Sequence, residues 1–544
     1  MKKILTLISI VFLGYTNMKA QAPVVTITGN LVGNVNWSND TIYLLQGKVY
    51  VKSGATLNIE PGTVIKGDKT TAGSALIVTR GAKIYAIGTA QQPIVFTSSE
   101  TPGNKSTGDW GGLVIAGNAR INVTGGEGTF EGGNLSNPDG TVSDGKYGGL
   151  NDLDNSGELR YVRIEYAGFA YAANNELNSL TLGGVGSGTK ISYVQCSYGF
   201  DDAFEFFGGN VDAHHLVSFR GNDDDFDTDF GYSGRVQFGV AIRDTNVADP
   251  VSKANGFESD NDASGSGNQP YTSAVFSNMT IVGPKQTATT STSNYFNAVA
   301  HVRRNSRLSI FNSIFMGFPI GVKIDGDSCH ANADNGALKF KNNMMSACTL
   351  PLDSTAGAAW NISPWYGATA NANAMYAANT DIMLTAPFNY TSPDLKPTSS
   401  SPALTGADFT DAKLSNGFTT VAYRGAFGND DWFAGWTNFN PDTASYSMGV
   451  FPVSAQQILA NEASMMLFPN PATDLIHLNF NSNSTGTISI QILSMDGKII
   501  HQEKQMQKKG NNSLHINTSG LSKGMYLMHV SSTDKNKTIR FAIR

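Results

Sequence analysis

Three short segments of the chain repeat one pattern, a small or acidic residue, a phenylalanine and a carboxylate. They are Ala203-Phe204-Glu205, Asp225-Phe226-Asp227 and Gly256-Phe257-Glu258, with their carboxylates 22 and 31 residues apart. In a fold of stacked coils such equivalents lie about 4.8 Å from one another along the axis. The phenylalanines then form a ladder inside. The carboxylates, at ~5 Å, repel by roughly 0.8 kcal/mol in water and several-fold more at a lower effective dielectric. A bound cation, a basic neighbour or a raised and coupled pKa must offset that. Further oxygens on Asp201, Asp202, Asp223, Asp224, Asp229, Asp260 and Asp262 suit a hard cation such as Ca²⁺, which takes 6–8 oxygen ligands. The alternative is a solvated acidic face relieved by Arg220, Arg235, Arg243 or Arg303. A second metal candidate, Asp152 and Asp154 in the segment DLDNSG, opens like a calcium loop. Its twelfth position is Arg163 where an EF-hand needs a glutamate, so a plain turn competes with it.

Other chemistry finds little footing. His214 and His215 are adjacent on an expected strand, which sends their rings to opposite faces. The chain has no H-E-x-x-H, C-x-x-C, G-x-S-x-G or P-loop, so no catalytic residue is assigned. Trp360, Trp365, Trp432 and Trp436 suit either the packing of an end cap or stacking on sugars. Cys329 and Cys348 are close enough for a loop-closing disulfide, whereas Cys196 reads as a free core thiol. The segment 201–262 holds fourteen acids against four Lys/Arg. Such a surface excludes nucleic acid as a partner, because phosphate neutralisation needs clustered cations.

Short strands separated by Gly/Asn-rich turns run through 24–345, with hardly any helical period. Gly54-Ala-Thr-Leu-Asn-Ile and Gly81-Ala-Lys-Ile-Tyr-Ala open similar strand pairs 27 residues apart. Units too short to bury their own core must stack. That predicts an all-β protein whose main part, 21–345, is a right-handed parallel β-helix, with a large sandwich or propeller as the competing architecture. Residues 346–445 read as an irregular C-terminal cap and 367–380 as a long surface loop. The passenger also resembles a family of exported β-helix proteins of Gram-negative bacteria. The likeness rests on Trp110-Gly-Gly-Leu-Val-Ile, Phe130-Glu-Gly-Gly, Tyr147-Gly-Gly, the run from Asp152 to Glu165, Asn255-Gly-Phe-Glu, Tyr423-Arg-Gly-Ala-Phe-Gly and the run from Trp432 to Pro441. It implies the fold and leaves activity open.

The two ends speak of export. Lys2 and Lys3 precede an apolar run from Ile4 to Leu13 and a small-residue exit near Ala20, the pattern of a signal peptide over 1–20. That run is too short for a membrane anchor, which takes roughly 20 residues, and no later stretch spans a bilayer. After a linker, 446–466, alternating runs (Ile476, Leu478, Phe480; Ile488, Ile490, Ile492; Tyr526, Met528, Val530) predict a small immunoglobulin-like β-sandwich, with Asp496-Gly497 as a hairpin turn. The motifs LFPNPATDL, ISIQILSMDGKII and LSKGMYLMHV resemble the type A sorting domain of the type IX secretion system of Bacteroidota. The resemblance covers 467–544 and falls on Pro469, Asn470, Pro471, Asp474, Gly497, Gly524 and Tyr526. It implies recognition by the type IX machinery at the outer membrane and delivery to the cell surface or the medium. Residues 467–544 carry nine Lys/Arg against four Asp/Glu, and Lys2, Lys3 and Lys19 add three positive charges. The net −6 of the chain therefore leaves −14 on 21–466. Two functions fit that passenger: a non-catalytic adhesion or glycan-binding module stabilised by Ca²⁺, or a polysaccharide lyase or hydrolase on a β-helix. For a lyase, Arg220 or Arg243 beside Asp223–Asp227 would be the base; extracellular polysaccharide is the partner in either case.

Overall fold

The structure, a computed structural model, describes residues 22–130, 135–172, 175–355 and 360–446 of the passenger. Of the tail it describes 466–468, 472–482, 484–494, 498–532 and 536–543. The signal segment, residues 447–465 of the linker, and Pro469, Asn470, Pro471, Asp496 and Gly497 lie outside the described residues. The chain divides into two compact units, 1–451 and 452–544.

The passenger is a parallel β-helix. Each coil supplies three strands, and each strand pairs in parallel with its counterparts in neighbouring coils, so that the stacks join at the corners into one continuous 28-stranded sheet. One stack leads from Asn34–Trp37 and Thr56–Ile59 to Lys339–Lys341. A second leads from the start of Val24–Leu31 to Ala374–Tyr376. The third contains Leu180–Val185, Phe204–Gly209, Phe226–Asp229, Phe257–Ser259, Ala298–Val302 and Ile320–Asp325. Alternation along each strand sends aliphatic and aromatic side chains into a single long core. There Phe204, Phe226 and Phe257 stack with ring centroids 5.4 and 5.5 Å apart, all fully buried.

The corner between the first and second stacks turns on a single left-handed residue per coil: Tyr161, Tyr193, His215, Phe238, then Asn278, Asn312 and Asn342, with φ between 53° and 60° for all but Tyr161 at 51°. Asparagine adopts this conformation readily; aromatic residues do not, and pay strain for it. Ring stacking offsets the strain, with centroids 4.5 Å apart for Tyr161–Tyr193, 4.4 Å for Tyr193–His215 and 5.0 Å for His215–Phe238. The turn also corrects the sequence reading of the histidine pair. Because His215 leaves the extended conformation, its Nδ1 lies 2.7 Å from that of His214 instead of on the opposite face.

The coils continue past 345, since Leu350–Thr355 and Ala374–Tyr376 still add strands, and the expected loop 367–380 contains the last of them. Beyond it the chain does more than cap the end. It runs back along the corner of aromatic and Asn residues as a strap: Asn312 Nδ2 donates to Asp408 O, Asn278 Nδ2 to Tyr423 O, Gln237 Nε2 to Thr419 O and Gln195 Nε2 to Asn438 O. Tyr446 then donates to Glu165 Oε1. Trp432 and Trp436 pack in this strap, against His215 and Tyr161 respectively. Cys329 and Cys348 are free thiols, as is buried Cys196. No disulfide joins them because each lies against a different coil, Cys329 at the backbone of Asn305 and Ser306, Cys348 at that of Phe318; burial raises both thiols, to about 12 and about 11.

The tail unit is a sandwich of a three-stranded and a four-stranded antiparallel sheet. Ile476, Leu478, Phe480, Ile488, Ile490, Ile492, Met528 and Val530 fill its core. Gly486–Ser494 and Ile499–Gln507 pair across the expected hairpin, Asp474 is exposed, and Tyr526, next but one to Gly524 on a strand, donates to Ser522 O.

Removing the middle ring of the phenylalanine ladder tests the core. Phe226→Ala should cost about 3–5 kcal/mol, read as a lower urea midpoint at unchanged slope; a loss below about 1 kcal/mol would mean the ladder is not a continuous packed column.

Candidate metal centre

The outward positions of the third stack follow from the same register that sets the ladder. Glu205 pairs with Asp227 and Asp227 with Glu258, followed by His301 and Lys323. The turn entering this stack carries a second column. Asn178 Oδ1 accepts the Asp202 N–H (3.2 Å), Asp202 Oδ1 the Asp224 N–H (2.9 Å), Asp224 Oδ1 the Asn255 N–H (2.5 Å), and Asn255 Oδ1 the Ala298 N–H (3.2 Å). Each coil thus hands one side-chain oxygen to the backbone of the next.

Between the two columns opens a cleft of about 360 Å³ lined by nine carboxylates and two guanidiniums. The sequence candidates Asp201, Asp202, Glu205, Asp223, Asp224, Asp227 and Glu258 all lie there. Ligand oxygens of Asp201, Asp202 and Asp223 fall within 4.8 Å of one another, as do those of Asp202, Glu205 and Asp227. Asp223 Oδ1 and Asp227 Oδ1 are buried without a hydrogen-bond partner. Burial, followed by the charges of neighbouring carboxylates, raises Asp202, Asp223, Asp227 and Glu258 well above the usual carboxylate range. Burial also lifts Asp224, to about 6, against the Asn255 N–H and the Arg243 charge.

The remaining candidates stand apart. Asp260 is bound by Arg303 Nε at 2.8 Å and Arg304 Nη1 at 2.7 Å, and Asp262 caps the turn of Ser264 and Ser266. Asp229 accepts from the Phe230 N–H. Asp152 is paired with Arg120, while Asp154 accepts from Asn118 and Ser156, so this segment is a structural turn away from the cleft. Of the arginines expected to relieve the tract, Arg303 reaches Glu258 in the cleft. Arg235 pairs with Asp212 and Arg220 with Asp244. Arg243 is fully buried against Asp225 at 3.0 Å, with Ser218 on the same oxygen. The sequence reading passed over Glu176, Asn178, Asp249, Ser252 and Arg304, which also line the cleft. Asn178 was within reach, since it stands one coil before Asp202; Asp249 and Ser252 arrive on the loop inserted within the 31-residue spacing between Asp227 and Glu258.

A family model described as a pectate-lyase-like β-helix domain matches residues 29–386. The chain belongs to this family. Its tail, residues 466–544, matches the secretion system C-terminal sorting domain, and this pectate-lyase-like β-helix protein is accordingly exported by type IX secretion to the cell surface or the medium. No helix among the described residues is long and apolar enough to cross a membrane. Among solved structures it is similar to the tailspike protein gp49 of Acinetobacter baumannii bacteriophage Fri1, a capsular polysaccharide depolymerase, at 9% identity over 90% of this chain and 77% of the tailspike, with a TM-score of 0.17. No curated protein matches.

The raised carboxylates give a signed pH dependence. The folded state binds more protons than the unfolded chain between the ordinary aspartate pKa of about 4 and the elevated values, so stability falls as pH rises through that window. In EDTA the melting temperature should be highest near pH 4 and drop by several degrees through pH 6, where Asp224 titrates. A melting temperature that rises over this range would mean that the cleft carboxylates are charged and satisfied by the fold itself.

Proposed function

We propose that the passenger is a non-catalytic glycan-binding module that works through a divalent cation of the Ca²⁺ type held in the acidic cleft. The ion's remaining coordination positions take up oxygens of an extracellular polysaccharide. The observation that carries this reading is the pair of partnerless buried oxygens, Asp223 Oδ1 and Asp227 Oδ1, facing a set of carboxylates with too few cations around them. A hard cation supplies the missing counter-charge and uses oxygen donors alone.

The lyase alternative loses both of its expected bases. Arg243 is sealed in the core beside Asp225 and Arg220 is held by Asp244 and Tyr198. Arg303, which with Arg304 does reach the cleft, is pushed further up by Glu258 and Asp260 despite its burial and keeps its proton. The hydrolase alternative has one observation in its favour, the oxygens of Asp202, Glu205 and Asp227 within 4.8 Å, near the spacing of about 5 Å at which retaining glycosidases hold their carboxyl pair.

A panel of acidic and neutral polysaccharides separates these readings. Retention of the protein on an acidic glycan in Ca²⁺, its release by EDTA, and the absence of new reducing ends or ultraviolet-absorbing unsaturated ends are expected. New reducing ends without unsaturation would install the hydrolase instead. Unsaturated products would install the lyase. In the same preparation, Ca²⁺ at about 100 times its dissociation constant should stabilise the fold by about 2.7 kcal/mol; an unchanged melting temperature would remove the ion from the account.

A further inference from the structure

The column Asn178–Asp202–Asp224–Asn255 assigns the same structural task to four residues, acceptance of a backbone N–H from the next coil. Asparagine performs it at both ends without charge. At the two central positions the chain places aspartate, which accepts the same bond but adds a negative charge in a buried setting: Asp202 is 7% exposed and Asp224 5%. Arg243 acts on the charge at Asp224, but no cation among the described residues forms an ion pair with Asp202, and burying an ion without a partner is costly. Asp202 also belongs to both groups of converging carboxylates, with Asp201 and Asp223 on one side and Glu205 and Asp227 on the other. Each group contains one buried, partnerless oxygen, Asp223 Oδ1 (the residue is 8% exposed) and Asp227 Oδ1.

We propose that the cleft is a two-ion centre in which Asp202 bridges two divalent cations, one completed by Asp201 and Asp223, the other by Glu205 and Asp227. This rests on the cation reading above and adds to it the number of ions and the residue that couples them. A single divalent ion leaves one of the two orphaned oxygens uncompensated. It also leaves most of the excess of nine carboxylates over two guanidiniums in place. Two ions serve both groups, and the bridge makes their binding interdependent. The amide ladder shows which substitution is safe: Asp202→Asn keeps an acceptor for the Asp224 N–H, removes the charge and turns the other oxygen into an NH2 donor.

The test is Ca²⁺ stoichiometry, by equilibrium dialysis and isothermal titration of the purified full-length chain. Two ions per chain are expected. Asp223→Asn and Asp227→Asn should each bind one, and Asp202→Asn none, while Asp202→Asn melts in EDTA at or above the temperature of the unsubstituted protein. One ion per chain before substitution overturns the two-ion centre and leaves the cation reading standing; none overturns both. One ion retained by Asp202→Asn overturns the bridge, and a lower melting temperature for Asp202→Asn in EDTA overturns the premise that its charge is surplus to the fold.

Discussion

Everything in the passenger follows from the coil-to-coil repeat of about 4.8 Å. A residue in this fold has its nearest neighbours directly above and below, at the equivalent positions of adjacent coils. Identical chemistry is therefore amplified, favourably or not. Inside, the amplification favours stability, because Phe204, Phe226 and Phe257 meet face to face at 5.4 and 5.5 Å. Outside, the same registers put Glu205, Asp227 and Glu258 in line. One backbone constraint thus produces a packed aromatic column and a repelling acidic column from a single three-residue pattern.

The compensation of the acidic column is uneven along the stack. Asp225 is answered by Arg243 in the core and Asp260 by Arg303 and Arg304. Glu258 is answered by Arg303. Nearer the first of the three coils, no arginine among the described residues forms an ion pair with Asp202, Asp223 or Asp227. Burial first, and then the charges of neighbouring carboxylates such as Asp224, push their proton affinities up. A β-helix that used carboxylates only as a wettable surface would leave them exposed, where water screens them. Here they are withdrawn into the turn that enters the stack.

Much of this arrangement was legible in the sequence, for a reason that also marks its limit. The Phe-carboxylate pattern recurs on strands, where period and register are fixed, so the ladder and the column of Glu205, Asp227 and Glu258 followed from spacing. Asp201, Asp202, Asp223 and Asp224 were named only for standing near them in sequence. Asp152 and Asp154 matched a motif but sit in a turn that packs on Gly186 and Gly188, too tightly for a β-carbon there. The histidine pair misled because strand alternation fails where a residue turns left-handed, and no local signal distinguishes His215 from an ordinary strand residue. The strap was illegible for a different reason. Its hydrogen bonds reach from Asp408 and Asn438 to residues 96 and 243 positions away, and its Trp and Phe residues carry no repeat that would reveal where they dock.

The position of the acidic coils along the solenoid gives their cost a local meaning. In a stacked repeat, stability is approximately a sum over nearest-neighbour interfaces, so repulsion between the coils of Asp202, Asp224 and Glu258 weakens those interfaces and leaves distant ones untouched. These coils also flank the longest spacing in the pattern, where the inserted loop brings Asp249 and Ser252 to the cleft. The strap offsets part of this from the opposite side. It bonds Gln195, Gln237 and Asn278, which belong to three of four consecutive coils across the same region. The acidic interfaces are therefore clamped along one corner and left open to solvent at another. On the reading proposed above, a cation entering the open corner would supply the counter-charge for Asp202, Asp223 and Asp227, with which no arginine among the described residues forms an ion pair.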